Sequence, residues 1–123
     1  MVAGIGNDII EVARIEKALL KESFVKKCFT YGELEYLKGK KLNPQTAAGI
    51  FSAKEAVSKA IGTGFRGFMP QDIEICHDEY GRPYVRLSER AEKAASERNI
   101  SNIHVTVSHC SGYACAYALA ETL

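Results

Sequence analysis

The chain has 123 residues, 46% hydrophobic and 25% charged, with 16 Lys and Arg against 15 Asp and Glu for a formal net charge of +1. That length suits one domain, residues 1–123, able to bury about two thirds of its unfolded surface, and the composition excludes a disordered chain. So even a charge balance excludes a surface given over to nucleic acid, and any anion has to be bound locally.

Met1 to Asp8 carry no basic n-region and reach an acid before an apolar run of signal length develops. No later segment approaches the roughly 18 unbroken apolar residues of a membrane span. A cytoplasmic protein with no membrane partner is expected. Cys28, Cys76, Cys110 and Cys115 form no C-x-x-C pair and are too scattered for a disulfide framework, so reduced thiols filling core or strand positions are expected.

In chain order, Val2 to Ile10 mixes Gly with Val and Ile and predicts a strand whose glycines permit a bend or a close backbone approach, with Asp8 near its end. From about Glu11 to Phe29, Val12, Ile15, Ala18, Leu19, Phe24 and Val25 recur at helical spacing, with Arg14, Lys17 and Lys21 along another side. That predicts an amphipathic helix with a basic edge, interrupted near Ser23. Thr30 and Glu33 form a capping-box pattern opening a short helix to Gly39, followed by the basic loop Lys38-Gly39-Lys40-Lys41. Asn43-Pro44 starts a long helix to about Ile61, ended by Gly62-Thr63-Gly64, and a mobile loop runs through Gly67 and Pro70. Asp72 to Cys76 and Tyr84 to Leu87 read as a hairpin turning at Tyr80-Gly81-Arg82-Pro83. Ser88 caps an Ala-rich helix to about Asn99, and Ile103 to His109 and Tyr113 to Leu119 alternate as a second strand pair. The expected class is α+β, an antiparallel sheet packed against a long central helix.

On that helix Ser52, Glu55 and Lys59 share one stripe, beside an apolar stripe of Ile50, Ala53, Val57 and Ala60. Glu55 and Lys59 are either a solvent-exposed pair worth about 0.2–0.5 kcal/mol or an acid and a base presented together. Asp8 is either the N-cap of the helix after it or, if the long helix packs on its strand, a partner of Glu55. Two such carboxylates would hold a hard cation and leave positions for phosphate oxygens and water, as magnesium favours. His109 ends the strand Val105-Thr106-Val107-Ser108-His109 as a structural residue or a catalyst. Cys110 is open to a further reading, a nucleophile served by His109 or His104, with no acidic orienter in evidence. Gly4-Ile5-Gly6 lacks the third glycine of a dinucleotide fingerprint, and there is no Gly-Lys-Ser/Thr run. His77, beside Asp78 and Glu79, reads as a solvated turn tip rather than a metal ligand.

Taken together, Gly4-Ile5-Gly6-Asn7-Asp8-Ile9-Ile10-Glu11-Val12-Ala13-Arg14-Ile15, Phe51-Ser52-Ala53-Lys54-Glu55-Ala56-Val57-Ser58-Lys59-Ala60-Ile61-Gly62-Thr63-Gly64 and Val107-Ser108-His109 resemble the holo-acyl-carrier-protein synthases, the short bacterial type of phosphopantetheinyl transferase. The blocks follow the family's order and spacing from Gly4 to Ala120. The resemblance implies transfer of the phosphopantetheine arm of coenzyme A to a serine of an apo acyl carrier protein, in the service of fatty-acid synthesis. It implies Asp8 and Glu55 as magnesium ligands bridged to the pyrophosphate, and Glu55, directly or through a water, as base for the serine. Lys59 would neutralise charge on the pyrophosphate and assist the departing adenosine 3′,5′-bisphosphate. His109 would contact the nucleotide phosphates, and Gly62 and Lys54 would complete the coenzyme A contacts. Arg14 matches a family arginine that grips the acidic carrier, and Lys17 and Lys21 extend the same side; composition alone reads them as a solvated edge.

Longer transferases of this type carry two such units in tandem with a site at their junction, so a single unit implies a homotrimer with active sites between subunits. His109 would then serve the Asp8 and Glu55 of a neighbouring chain. One departure stands out: Ile50 occupies the place of an arginine in many members, removing a bidentate phosphate donor. Lys54, Lys40 or Lys41 is expected to compensate, or coenzyme A affinity to be lower. The rival expectation that Ile50 raises is a binding module without turnover.

Overall fold

Residues 1–122 are described by a computed structural model. Strand β1 (Val2–Glu11) leads into helices α1 (Val12–Ala18), α2 (Glu22–Cys28), α3 (Tyr31–Gly39) and α4 (Pro44–Ile61). A 3-10 turn at Pro70–Asp72 precedes strands β2 (Ile73–His77) and β3 (Pro83–Leu87), then helix α5 (Glu89–Glu97) and strands β4 (Asn102–His109) and β5 (Tyr113–Glu121). β1, β5 and β4, in that order, make a three-stranded antiparallel sheet, and β2 and β3 a separate antiparallel hairpin beside β4. The expected α+β arrangement is present, with α4 lying across all three strands of the larger sheet.

Small residues set how closely α4 meets that sheet. A Cβ on Gly4 would fall 2.1 Å from the Ala60 carbonyl oxygen, and one on Gly6 2.1 Å from that of Ala56. Ala53, Ala56 and Ala60 of the helix and Ala114, Ala116, Ala118 and Ala120 of β5 are all buried. With no bulk on either surface, backbone packs on backbone. β1 therefore runs antiparallel to α4, Gly4 beside Ala60, Gly6 beside Ala56 and Asp8 beside Ser52.

The helix ends follow the sequence signals. Thr30 Oγ1 accepts from the Glu33 N–H while the Glu33 carboxylate accepts from the Thr30 N–H. Asn43 Oδ1 accepts from the N–H groups of Gln45 and Thr46, and Gly62 closes α4 in a left-handed conformation at φ 95°. The single helix expected from Glu11 to Phe29 is two: the chain leaves helical geometry after Ala18 and re-enters at Glu22. On a continuous helix Phe24, nine positions after buried Ile15, would face away from it. The break turns Phe24 inward onto Phe29 and Phe51, with ring centroids 6.1 and 5.7 Å away.

The opposite face of the sheet is open: Ile5 and Ile9 of β1 stay 67% and 68% exposed, and Tyr113 and Tyr117 of β5 51% and 57%. Between α3 and α4, Lys41 (φ 57°) and Leu42 (φ 54°) are both left-handed, at roughly 1–2 kcal/mol each for non-glycine residues.

The β1–α4 contact makes a direct prediction. Gly6→Ala is expected to lose at least about 3 kcal/mol in thermal or urea denaturation, because a carbonyl of the helix ladder fills the methyl's place. Gly39→Ala, whose Cβ meets nothing within 4 Å, should be neutral or mildly stabilising. Equal stability of the two variants would refute the contact.

Candidate active site

Strand alternation aims Gly4, Gly6, Asp8 and Ile10 at α4 and leaves Ile5, Asn7 and Ile9 on the open side. Asp8 is held from the helix: Ser52 Oγ lies 3.0 Å from both its main-chain oxygen and its Oδ2. Lys59 Nζ donates to the Asn7 carbonyl at 2.9 Å and sits 3.4 Å from Asp8 Oδ1. The Asp8 side chain is 16% exposed and that of Lys59 51%, so the long ion pair contributes little stability and the ammonium stays open to a ligand. α1 is entered through Glu11 with no side-chain cap, which removes the N-cap reading of Asp8.

Glu55 completes the cluster. Burial pushes its carboxyl above the usual range, the negative charge of Asp8 pushes it further, and Lys59 opposes both. The two carboxylates that the sequence keeps far apart thus lie close enough to repel. Among the described residues the Glu55 carboxylate has no hydrogen-bond or ion-pair partner, although its main-chain oxygen accepts from Ser58. Nor do the described residues gather three or more His, Cys, Asp or Glu into one cluster, so a cation at Asp8 and Glu55 would draw its other ligands from elsewhere.

Lys54 corrects an expectation. It is fully buried, ion-paired to Glu33 Oε1 at 2.7 Å and donating to the carbonyls of Pro70 (2.9 Å) and Ile73 (2.6 Å). All its donors are used, so it does not reach coenzyme A and cannot stand in for an arginine at position 50. Glu33 also accepts from the Ile75 N–H at 2.7 Å, and the pair locks α3, α4 and β2 together. The sequence did carry the signal: Lys54 lies four positions after Ile50 and three before Val57, inside an apolar stripe.

His109 sits elsewhere. Asp8 is level with Ala116, and Ala116 with Val107, so His109 lies two strands from Asp8 and two residues further on, roughly 10 Å across the sheet and about 7 Å along it. It lines a cleft of ≈ 280 Å³ with Tyr36, Lys40, Thr46, His77 and Pro83. A Cβ on Gly49 would meet Val107 Cγ1 at 2.9 Å, so this glycine lets the end of β4 settle on α4. Ile50, 2% exposed, belongs to the core at the cleft's floor. The expected solvated tip, His77, instead stacks on Tyr36 at 3.9 Å and 5°, with Lys40 Nζ 5.6 Å from the Tyr36 centroid. Its Nδ1 is the one enclosed side-chain N or O without a partner among the described residues. Tyr36 and His77 carry no local sequence signal for this cleft, because α3 and β2 meet only in the fold.

The remaining candidates are dispersed. Arg14, Lys17 and Lys21 are exposed around α1, and among the described residues none is in a salt bridge. Gly62 lies one turn beyond Lys59, where an added Cβ would be 3.0 Å from Arg98 Nη2. Cys110 is in the exposed turn after β4, His104 is tied to Glu121 at 2.6 Å, and among the described residues neither His104 nor His109 hydrogen-bonds the thiol.

A raised Glu55 carboxyl means that folding favours its protonated form. The stability it contributes is present below the unfolded carboxylate range and is lost as pH rises through the raised value. Glu55→Gln is therefore expected to raise the Tm of metal-free protein at neutral pH, with the gain closing below about pH 4. Scanning calorimetry across pH checks this; identical Tm values throughout would remove the like-charge strain.

Known proteins resemble this chain over nearly its full length. Residues 4–118 match the 4′-phosphopantetheinyl transferase superfamily. A holo-[acyl-carrier-protein] synthase of Fusobacterium nucleatum is 49% identical over 120 residues, 97% of this chain and 98% of its own. The crystal structure of the holo-[acyl-carrier-protein] synthase of Neisseria meningitidis superposes with a TM-score of 0.90 at 31% identity, covering 99% of this chain and 100% of that one. A holo-(acyl-carrier-protein) synthase of Bacillus anthracis, solved in complex with CoA (3′,5′-ADP), superposes with a TM-score of 0.82 at 35% identity, covering 100% and 99%. The chain belongs to the 4′-phosphopantetheinyl transferase superfamily, in its holo-[acyl-carrier-protein] synthase branch.

Proposed function

We propose that this chain, as a single domain, transfers the 4′-phosphopantetheine group of coenzyme A to a serine of an apo acyl carrier protein and releases adenosine 3′,5′-bisphosphate, serving fatty-acid synthesis. The observation that carries the proposal is the convergence of Asp8, Glu55 and Lys59 across the β1–α4 contact, in a chain whose near-full-length relatives bear this activity in their names. The serine oxygen attacks the phosphorus nearer the pantetheine, the phosphoanhydride bond breaks, and negative charge passes to the departing nucleotide phosphate. Glu55 takes the serine proton, directly or through a water. Lys59, anchored by the Asn7 carbonyl yet half exposed, faces the departing charge.

The residues fit magnesium. Glu55 has no partner among the described residues and feels the negative charge of Asp8, a repulsion that a cation relieves, and two carboxylates completed by diphosphate oxygens are a donor set the ion favours. Bound there, magnesium would orient the diphosphate and neutralise it. His109 and Lys40 in the cleft, with Tyr36 and His77 as an aromatic wall, suit the nucleotide end of coenzyme A, and Lys40 takes up the charge that Ile50 does not supply. His109 lies too far from its own Asp8 to share one diphosphate, and the open face of Ile5, Ile9, Tyr113 and Tyr117 is apolar enough to be covered by a second copy. Both support a homotrimer in which the cleft of one subunit meets the acids of the next. Arg14, Lys17 and Lys21 suit an acidic carrier protein. Among the described residues no helix is long and apolar enough to cross a membrane, in keeping with a cytoplasmic enzyme.

Incubation with coenzyme A, an apo acyl carrier protein and Mg²⁺ is expected to add one phosphopantetheine mass to the carrier, and a chelator to abolish the addition. Coenzyme A binding with no mass shift on any carrier tried would overturn the proposal in favour of a silent binding module. For the shared site, Asp8→Ala and His109→Ala are each expected to be inactive, while an unfolded and co-refolded equal mixture regains roughly a quarter of parent activity, the fraction of sites that pair intact residues in random trimers. No recovery in a mixture shown to contain both subunits would place His109 outside the site.

A further inference from the structure

We infer that Ser52 is a positioning residue for the Asp8 carboxylate, and through it for the cation and diphosphate of the proposed reaction, on which the inference rests. Ser52 is fully buried inside α4. Serines in a helix usually return their hydroxyl to a carbonyl one turn back, as Ser58 does to the Glu55 oxygen at 2.7 Å. Ser52 instead reaches across the β1–α4 contact to Asp8 Oδ2 and the Asp8 main-chain oxygen, both at 3.0 Å. A hydroxyl has one proton to give, and the charged oxygen is the stronger acceptor.

That bond divides the carboxylate. Oδ2 is anchored to the helix by Ser52 while Oδ1 is turned toward Lys59 at 3.4 Å. The terminal torsion of aspartate is otherwise soft. Without the hydroxyl, Asp8 is free to turn both oxygens onto the Lys59 ammonium, which takes a ligand from the cation and a cation from the diphosphate at once. Support of this kind typically changes metal affinity by about 10–100-fold when removed.

The test is a Mn²⁺ titration followed by electron paramagnetic resonance, on the full chain with coenzyme A present and no carrier protein. Ser52→Ala and Ser52→Cys, the second keeping the buried volume without a good donor, are each expected to weaken Mn²⁺ binding about 10-fold or more. Ser58→Ala, which removes a buried hydroxyl from the same helix without touching Asp8, should bind as the parent does. In turnover the apparent Mg²⁺ requirement of Ser52→Ala should rise by a similar factor while kcat at saturating metal stays close to the parent value. Parent-like Mn²⁺ binding by folded Ser52→Ala, recovery in Ser52→Cys, or equal weakening in Ser58→Ala overturns the inference and leaves the proposed reaction standing. A parent protein that binds no Mn²⁺ and needs no metal for transfer fails the metal reading itself, and Ser52 with it.

Discussion

A strand and a helix touch here at the level of their main chains, and the proposed site is organised around that contact. Where Gly4 and Gly6 pass over Ala60 and Ala56 there is no room for a methyl group. The same approach brings the root of Lys59 to 2.8 Å from the place of a Gly6 Cβ, close enough for its ammonium to rest on the next carbonyl along, that of Asn7. Ser52, two turns earlier, reaches Asp8 by the same proximity. Pre-set spacing of this kind lets a reaction that depends on charge placement run with few groups.

Two lysines five positions apart on α4 show how one helix separates structure from chemistry. Lys54 is sealed in the interior, where burial weakens its charged form and Glu33 with two carbonyls sustains it. Breaking such a pair from one side costs about 3–5 kcal/mol, so its role is to fix which elements pack together. Lys59 makes a longer ion pair, to Asp8, and keeps a half-exposed ammonium available. A similar division falls on the acids: Glu33 is consumed by Thr30, Lys54 and Ile75, whereas Glu55 is left with unspent capacity.

Much of this was legible in the chain. The Thr30–Glu33 box, the Asn43-Pro44 start and the Gly62 stop are local rules, and each appears where the residues place it. The stripe of Ser52, Glu55 and Lys59 follows from helical periodicity, and its meeting with Asp8 from the glycines of β1. What local rules missed depends on distant partners. The fate of Lys54 turns on Glu33, Pro70 and Ile73, and the stacking of His77 on Tyr36. The break after Ala18 was visible only as an interruption of periodicity, since its cause is the rings of Phe29 and Phe51 that Phe24 turns to meet.

The pairing of β1 with β5 has a consequence for fidelity. Because neighbouring side chains on a strand point to opposite faces, a slip of one residue would carry Asp8 out to the apolar side and set Asn7 or Ile9 against Ser52. Alignment of the outer strand therefore sets the proposed site as much as the fold. The single irregularity in the ladder falls between Val2 and Gly4, and from Gly4 to Glu11 the pairing is unbroken. The bulge after Val2 thus lies at least four residues from the acid, whose own stretch of ladder is in continuous register.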